Sequence, residues 1–420
     1  MAKKVNNNQI AKAFAGDEAY AKDLLYCRDW VTFYLYKNYY YQEINQDEMY
    51  QLIWDFIDEN YPETNLTMTL VKDVFLQIGM CCSRVVQSVD TDYIALEDAL
   101  LNLSDFSLHE FDRKKIAIHK LKVYKEDLNQ PTPQFQQFLD TTIVDAKENK
   151  DEELQTLVQE MFGYYLINNL KGATVFFLVG QGANGKSVMI SVIEEMIGIK
   201  AISSMSIQTL TTNRFAPSNL IGKKLNVCNE EESKYLKADK FKAMVTGDSI
   251  DAERKFGASF SFKPKAKFLF ATNEMPTFDG LNIGIKRRIK IIPFHKIFTD
   301  EEQDKDLTEK LLTEIGGVIG WAIIGAQRFV SNGYRFSNSK VADNAKAEFE
   351  DSVSSALAFF NESYTLEEST FISHDNGRDH GDDRVRRGRK SGLPAELESD
   401  TGQQVVTEEM LQDLLIPPFN

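Results

Sequence analysis

Residues 180–187 read Gly-Gln-Gly-Ala-Asn-Gly-Lys-Ser. Gly180 and Gly185 bracket four residues, and a lysine and a hydroxyl follow at once. This spacing suits one kind of chemistry. Glycines let successive backbone N–H groups turn toward a polyphosphate, and a following helix adds positive potential at its N-terminus. Gly180, Gly182, Asn184 and Gly185 would form the cradle. Lys186 is expected to reach the β- and γ-phosphates of ATP, and Ser187 to hold Mg²⁺. The flanks agree: the apolar run 175–179 predicts a strand, and Val-Met-Ile-Ser-Val-Ile at 188–193 predicts a helix.

Four later segments supply groups that such a site needs. Leu-Asn-Val-Cys-Asn-Glu-Glu at 225–231 reads as a buried strand ending in carboxylates. One of Glu230 and Glu231 would support Mg²⁺ and the other would polarise an attacking water. Phe-Leu-Phe-Ala-Thr-Asn at 268–273 delivers Asn273 at a strand's C-terminal edge, where ligands of open α/β sheets sit. Arg287 and Arg288 precede an apolar run at 289–293, and either is a candidate arginine finger, acting within the chain or on a neighbouring subunit. Between them, Arg254, Lys255 and Phe256 stand before Gly257-Ala-Ser259, a candidate hairpin tip. From Arg254 to Lys290 there are nine Lys/Arg against two Asp/Glu, in a chain of net charge −15. Basic residues beside an aromatic at a loop tip suit single-stranded nucleic acid, through phosphate contacts and base stacking.

The elements that must position these groups follow from pattern. Strands are expected at 175–179, 225–228, 268–272 and 289–293, alternating with helical segments, which argues an α/β core over 171–298. A linker and helical collar are expected over 126–170, with Pro131 and Pro133 as breaks and an apolar helix stripe from Leu154 to Leu166. Helices are expected over 299–366. Residues 1–125 predict a mixed α+β domain with a hairpin around Lys37-Asn38, a helix near Asp47–Asn60 and a strand over Ile116–Tyr124. Residues 367–420 are polar, and disorder is expected there.

Bulk properties exclude several classes. The negative net charge offers no global field for nucleic acid, so any such contact must use a local basic patch. The four cysteines match neither a zinc spacing nor a disulfide framework, which fits a reducing cytosol. The most membrane-like run, 315–326, is too short to span a bilayer and predicts a buried helix.

In order, the chain carries the phosphate loop, a Glu-ended strand, T-G-D-x-I followed by R-K-F, F-x-P-K, A-T-N-x-x-P, and R-R before I-x-x-P-F. This order resembles superfamily 3 helicases, specifically the phage and plasmid primase–helicase group related to the poxvirus nucleoside triphosphatase-primase. The resemblance runs through roughly residues 95–365. It implies an AAA+-like core in a homo-oligomeric ring, usually a hexamer, with ATP between subunits, acting on single-stranded DNA in the cytoplasm of a host cell. It assigns Lys186 and Ser187 to phosphate and Mg²⁺, Glu230 to the acidic strand end with Glu231 beside it, and Asn273 to the sensor. Arg287 best matches the finger, with Arg288 second. Arg254, Lys255 and Phe256 match the pore hairpin, flanked by Lys263, Lys265 and Lys267. The metal-binding motifs of a primase module are missing from the sequence, so a separate primase or polymerase partner is an open expectation. An ATP-binding initiator scaffold that does not unwind is the rival reading, and a small-molecule kinase ranks below it.

Overall fold

The computed structural model describes residues 6–87, 89, 92–231, 236–254, 259–279, 283–365 and 404–405, with side chains as far as residue 352. The chain divides into two compact units, 1–346 and 347–420. In the first unit, helix α1 (Asn7–Gly16) starts from a capping box in which Asn6 and Gln9 satisfy each other's backbone N–H groups. Strands β1 (Leu24–Cys27), β2 (Thr32–Lys37) and β3 (Tyr40–Ile44) follow, then helices α2 (Gln46–Asn60) and α3 (Met68–Cys81) and strand β4 (Arg84–Val86). The expected hairpin is there. Its turn residues Asn38 and Tyr39 take φ of 53° and 71°, the left-handed pair that a two-residue turn needs. The sheet order is β3-β2-β1-β4, and Ile10, Phe14, Ile53, Ile57, Val74 and Ile78 bury the three helices against it.

Strands β5 (Tyr93–Ala95), β6 (Leu100–Asn102) and β7 (Leu108–His109) form a small antiparallel sheet. The strand expected over 116–124 is only an extended segment: Ala95 accepts from Leu121 N–H and donates to His119, and regular pairing stops at one bridge, Ala95 to Lys120. Ile94, Leu101, Leu121 and Val123 belong to the large core that also holds helices α4 (Pro133–Thr142) and α5 (Glu152–Leu166). Pro133, expected to break the chain, instead opens α4, where its missing N–H costs nothing and its fixed φ suits the first turn.

The central sheet is wholly parallel. Strands β8 (Val175–Val179), β9 (Ile202–Ser203) and β10 (Leu225–Cys228) are separated by helices α6 (Lys186–Ile197) and α7 (Ile207–Thr212). After β11 (Leu236–Lys237) and helix α8 (Ala238–Thr246), β12 (Ile250–Glu253) and β13 (Ser259–Phe262) pair as an antiparallel arm. Strand β14 (Lys267–Thr272) rejoins the sheet; β15 (Phe278–Asp279) pairs apart from it with β11, and after helix α9 (Ile283–Lys286) β16 (Ile289–Pro293) completes the sheet. The order is β16-β8-β14-β10-β9, so the first strand lies inside the sheet and later strands flank it on both sides. Its central strands are continuous apolar runs because both faces are covered.

Helices α10 (Leu307–Leu312), α11 (Ile315–Ser331) and α12 (Lys340–Ser363) close the order of helices. The second unit also pairs Tyr364–Thr365 with Gln404–Val405 in parallel. The remaining residues of the 367–420 tail lie outside the described residues. The membrane-like run lies in α11 and is mostly buried, with Ile324 exposed, and no helix among the described residues is long and apolar enough to cross a membrane. Its glycines have a packing reason: a Cβ on Gly320 would stand 1.8 Å from the Leu128 carbonyl, and one on Gly325 2.1 Å from that of Gln159.

Two lysines at the starts of adjacent strands close the C-terminus of α5. Lys224 Nζ donates to the Leu166 carbonyl at 3.2 Å, and Lys267 Nζ donates to that of Ile167. These carbonyls have no partner within the helix, and the helix dipole favours cations there. Burial pulls the Lys267 ammonium well below its ordinary range and brings Lys224 down to about 7. The unfolded chain therefore holds the Lys224 proton more tightly, and the cost to folding is full below pH 7. It relaxes as pH rises from 7 toward the ordinary lysine value. A Lys224→Met protein is expected to gain less thermal stability than wild type between pH 7 and 9; equal gains would remove Lys224 from this role.

Candidate nucleotide site

The strands that matter end on one side. Val179, the last residue of β8, pairs with Thr272 of β14, and Cys228 of β10 pairs with Phe270. The loop after β8, the acidic turn after β10 and Asn273 after β14 therefore open into one cleft of about 1340 Å³. Gly182, Asn184, Gly185, Lys186 and Ser187 line it, as do Glu230, Glu231 and Asn273. Residues far apart in sequence meet because the sheet places their strands side by side.

The loop's geometry is specific. Ala183 and Gly185 take φ of 57° and 89°. A left-handed alanine is a strained conformation of the kind that persists at functional loops. Gly180 does not line the cleft. A Cβ there would stand 2.5 Å from the Phe294 carbonyl, so its value is close backbone approach. Asn184 is buried; its amide donates to the Gln181 carbonyl and its Oδ1 accepts from Lys186 N–H at 3.4 Å. Lys186 folds over its own loop, donating to the carbonyls of Gly180 and Gln181 and to Asn184 Oδ1. Burial lowers its pKa. Its ammonium is thus held at the mouth of a helix whose free N–H groups attract anions. Ser187 is exposed to the cleft.

The two glutamates differ. Glu230 is exposed in the cleft. Glu231 is 4% exposed, and its carboxylate accepts from Ile207 N–H at 2.9 Å, at the start of α7. Thr272 Oγ1 donates to the Glu231 carbonyl at 2.9 Å, locking the tips of β10 and β14 together. Asn229 also lines the cleft; it went unnoticed in the sequence because the adjacent carboxylates carry the stronger signal. The α4 wall and Lys296, also missed, come from outside the motif-bearing segments.

The arginines do not line this cleft. Ile289 pairs with Val175 at the start of β8, so Arg287 and Arg288 lie roughly 15 Å from the Gly-rich loop, by strand rise. Arg288 turns inward: its guanidinium donates to the Gly284 carbonyl, and burial lowers its pKa. Arg287 is exposed.

The basic segment separates in the same way. Strands β12 and β13 form the expected arm, but Lys255 and Phe256 lie outside the described residues. Arg254 donates to the Trp30 carbonyl at 2.7 Å and stands over the Phe260 ring. Lys263 is exposed. Lys265 is half-buried, and desolvation lowers its pKa despite the attraction of Asp29. Lys267 was expected at a DNA surface. At 2% exposure it caps α5 instead, because the alternation that reads as a charged flank begins a strand buried on both faces.

Fold and site define a class: a mixed α/β protein whose parallel sheet gathers a Gly-rich loop, acidic groups and an amide at its C-terminal edge. Residues 13–144 match a family model described as D5 N terminal like, and residues 178–288 match a family of unknown function. A helicase-named protein of Acanthamoeba polyphaga mimivirus is 27% identical over 176 residues, 40% of this chain and 18% of that protein. Another, from Invertebrate iridescent virus 3, is 27% identical over 238 residues, 49% of this chain and 24% of that protein. The chain thus spans less than a quarter of these relatives' length. The solved C-terminal region of NrS-1 superposes with a TM-score of 0.48 at 15% identity, over 78% of this chain and 71% of that one. The D5-like segment and the helicase-named viral proteins make the chain similar to the phage and viral primase–helicase group.

Proposed function

We propose that the chain is an ATP-dependent DNA helicase of superfamily 3 type, with an AAA+-like phosphate-loop core, acting in replication of a virus, phage or mobile element. The observation that carries this reading is the division of labour at the sheet. Lys186, Ser187, Glu230 and Asn273 share one cleft, while exposed Arg287 lies off it. A chain that keeps its hydrolytic groups together but holds its arginine away is built to complete the site with a neighbour, as in a ring.

In this reading Lys186 leaves its loop carbonyls for the β- and γ-phosphates. Asn273 orients the attacking water, with Glu231 fixing the turn that presents Glu230 to the cleft. Ser187 and Glu230 would hold Mg²⁺, which when bound draws charge from the phosphates. Their oxygen donors suit that hard cation. The arm of β12 and β13 would carry Lys255 and Phe256 to the DNA strand, with Arg254, Lys263 and Lys265 behind them. Contact through cations on phosphates predicts DNA affinity that falls as salt rises, with a slope set by the number of phosphates neutralised.

ATP turnover by wild type, sized by light scattering, is expected to rise several-fold with single-stranded DNA in a ring-sized particle, hexameric on this reading. ATP binding with turnover indifferent to DNA would overturn translocation and favour an initiator scaffold.

A further inference from the structure

The cleft extends past the phosphate loop along α4. Gln137, Phe138, Thr141 and Thr142 form one side of this extension, and Val188 and Leu307 also line it. Phe138 and Thr142 press on the loop itself: a Cβ on Gly185 would stand 3.2 Å and 3.0 Å from them.

Thr142 is anomalous within this wall. It is 1% exposed, and its Oγ1 has no hydrogen-bond partner among the described residues. The adjacent Thr141, on the same helix, follows the usual habit and donates to the carbonyls of Gln137 and Phe138 at 3.0 and 3.1 Å. Buried hydroxyls without partners cost free energy, so they are rare and call for an explanation. Here the unsatisfied group lines a ligand cleft, 3.5 Å from the position of a Cβ on Gly185.

We propose that Thr142 is a nucleotide-binding residue whose hydroxyl pairs with the nucleoside half of the ligand, with Phe138 as apolar backing. The inference rests on the nucleotide reading above and adds the part of the site that the phosphate-loop motif does not contain. The phosphates are already provided for by the N–H groups of the loop and by Lys186. The apolar residues that line the same extension of the cleft, Phe138, Val188 and Leu307, suit a ribose and base rather than a polyphosphate. Residue 142 stands some forty positions before the loop, so α4 couples the segment preceding the sheet to nucleotide occupancy.

Thr142→Val preserves shape and removes only the hydroxyl. Calorimetry on the full chain is expected to show ATP affinity weakened about five- to tenfold, the size of one lost hydrogen bond. Affinity for inorganic tripolyphosphate, which has no nucleoside, is expected to be unchanged. The thermal midpoint without ligand is expected to hold or rise, since a buried unpaired group has been removed. Thr142→Ser is expected to bind ATP as wild type does. Equal weakening of ATP and tripolyphosphate would place the hydroxyl on the phosphates and overturn the nucleoside assignment. Unchanged ATP affinity, or a lowered midpoint without ligand, would take Thr142 out of the site. Failure of wild type to bind either ligand would overturn the nucleotide reading itself.

Discussion

A Lys186→Ala protein is expected to lose ATP hydrolysis by roughly a hundred- to thousandfold, the scale set by removing one preorganised charge from a transition state. The fold should survive. Lys186 makes its contacts within its own loop, to the carbonyls of Gly180 and Gln181 and to Asn184 Oδ1, and the side chain bridges no two elements. Burial already depresses its pKa, so deleting the ammonium relieves a desolvation cost in the free protein. The expected signature is therefore an inactive protein with a thermal midpoint near that of wild type, which no longer gains stability from ATP. Turnover retained in this variant would sink the phosphate-loop mechanism.

Arg287→Ala is expected to cost about a thousandfold or more in ATP turnover, the range of an arginine finger, although the residue lies off its own chain's cleft. The arm's length from β16 to the loop end of β8 leaves it little use within the chain. Mixing Arg287→Ala subunits into wild type should therefore depress activity more steeply than their fraction, because in a ring whose subunits fire in concert each neighbour's site that an impaired subunit silences also stalls the rest. A loss linear in the fraction would argue against such concerted action between subunits. Arg288→Ala supplies the contrast. Its guanidinium is bound to the Gly284 carbonyl, and its Nε is buried without a partner among the described residues, so its loss should be read chiefly in stability.

Much of the core was legible from short-range pattern. The expected strands at 175–179, 225–228 and 289–293 coincide with β8, β10 and β16, because buried parallel strands are uninterrupted apolar runs bounded by polar turns. The two-residue strand β9 left no such run. Helix α4 was hidden by its own start: Pro133 reads as a breaker when the helix it opens has no other strong signal. The small sheet of β5–β7 shares its apolar side chains with α4 and α5, a long-range packing fact that no local window contains.

Within the site, residue types were readable and residue roles were not. The alternatives Glu230/Glu231 and Arg287/Arg288 are adjacent pairs of one chemistry, and only direction in space separates them. The backbone turn after β10 sends Glu231 inward to Ile207 N–H and leaves Glu230 in the cleft. The end of α9 turns Arg288 back and Arg287 out. Lys267 shows the same limit at a distance, since its neighbours in sequence are surface cations while its neighbours in space are the last carbonyls of a helix a hundred residues away.

The sequence by itself determined the chemistry on offer: a Gly-rich loop, a lysine, a hydroxyl, carboxylates and an amide, each after an apolar run that must become a strand, and paired arginines before another. Only the tertiary structure decided which of them meet. Strand order put β14 between β8 and β10, gathering Lys186, Glu230 and Asn273 at one edge and leaving Arg287 at the other. It also brought α4, with a Thr142 hydroxyl that has no partner among the described residues, against the loop. The reason is physical: side-chain type and local period are properties of neighbours along the chain, whereas burial, pairing and the sharing of a cleft depend on contacts between segments that the sheet alone brings together.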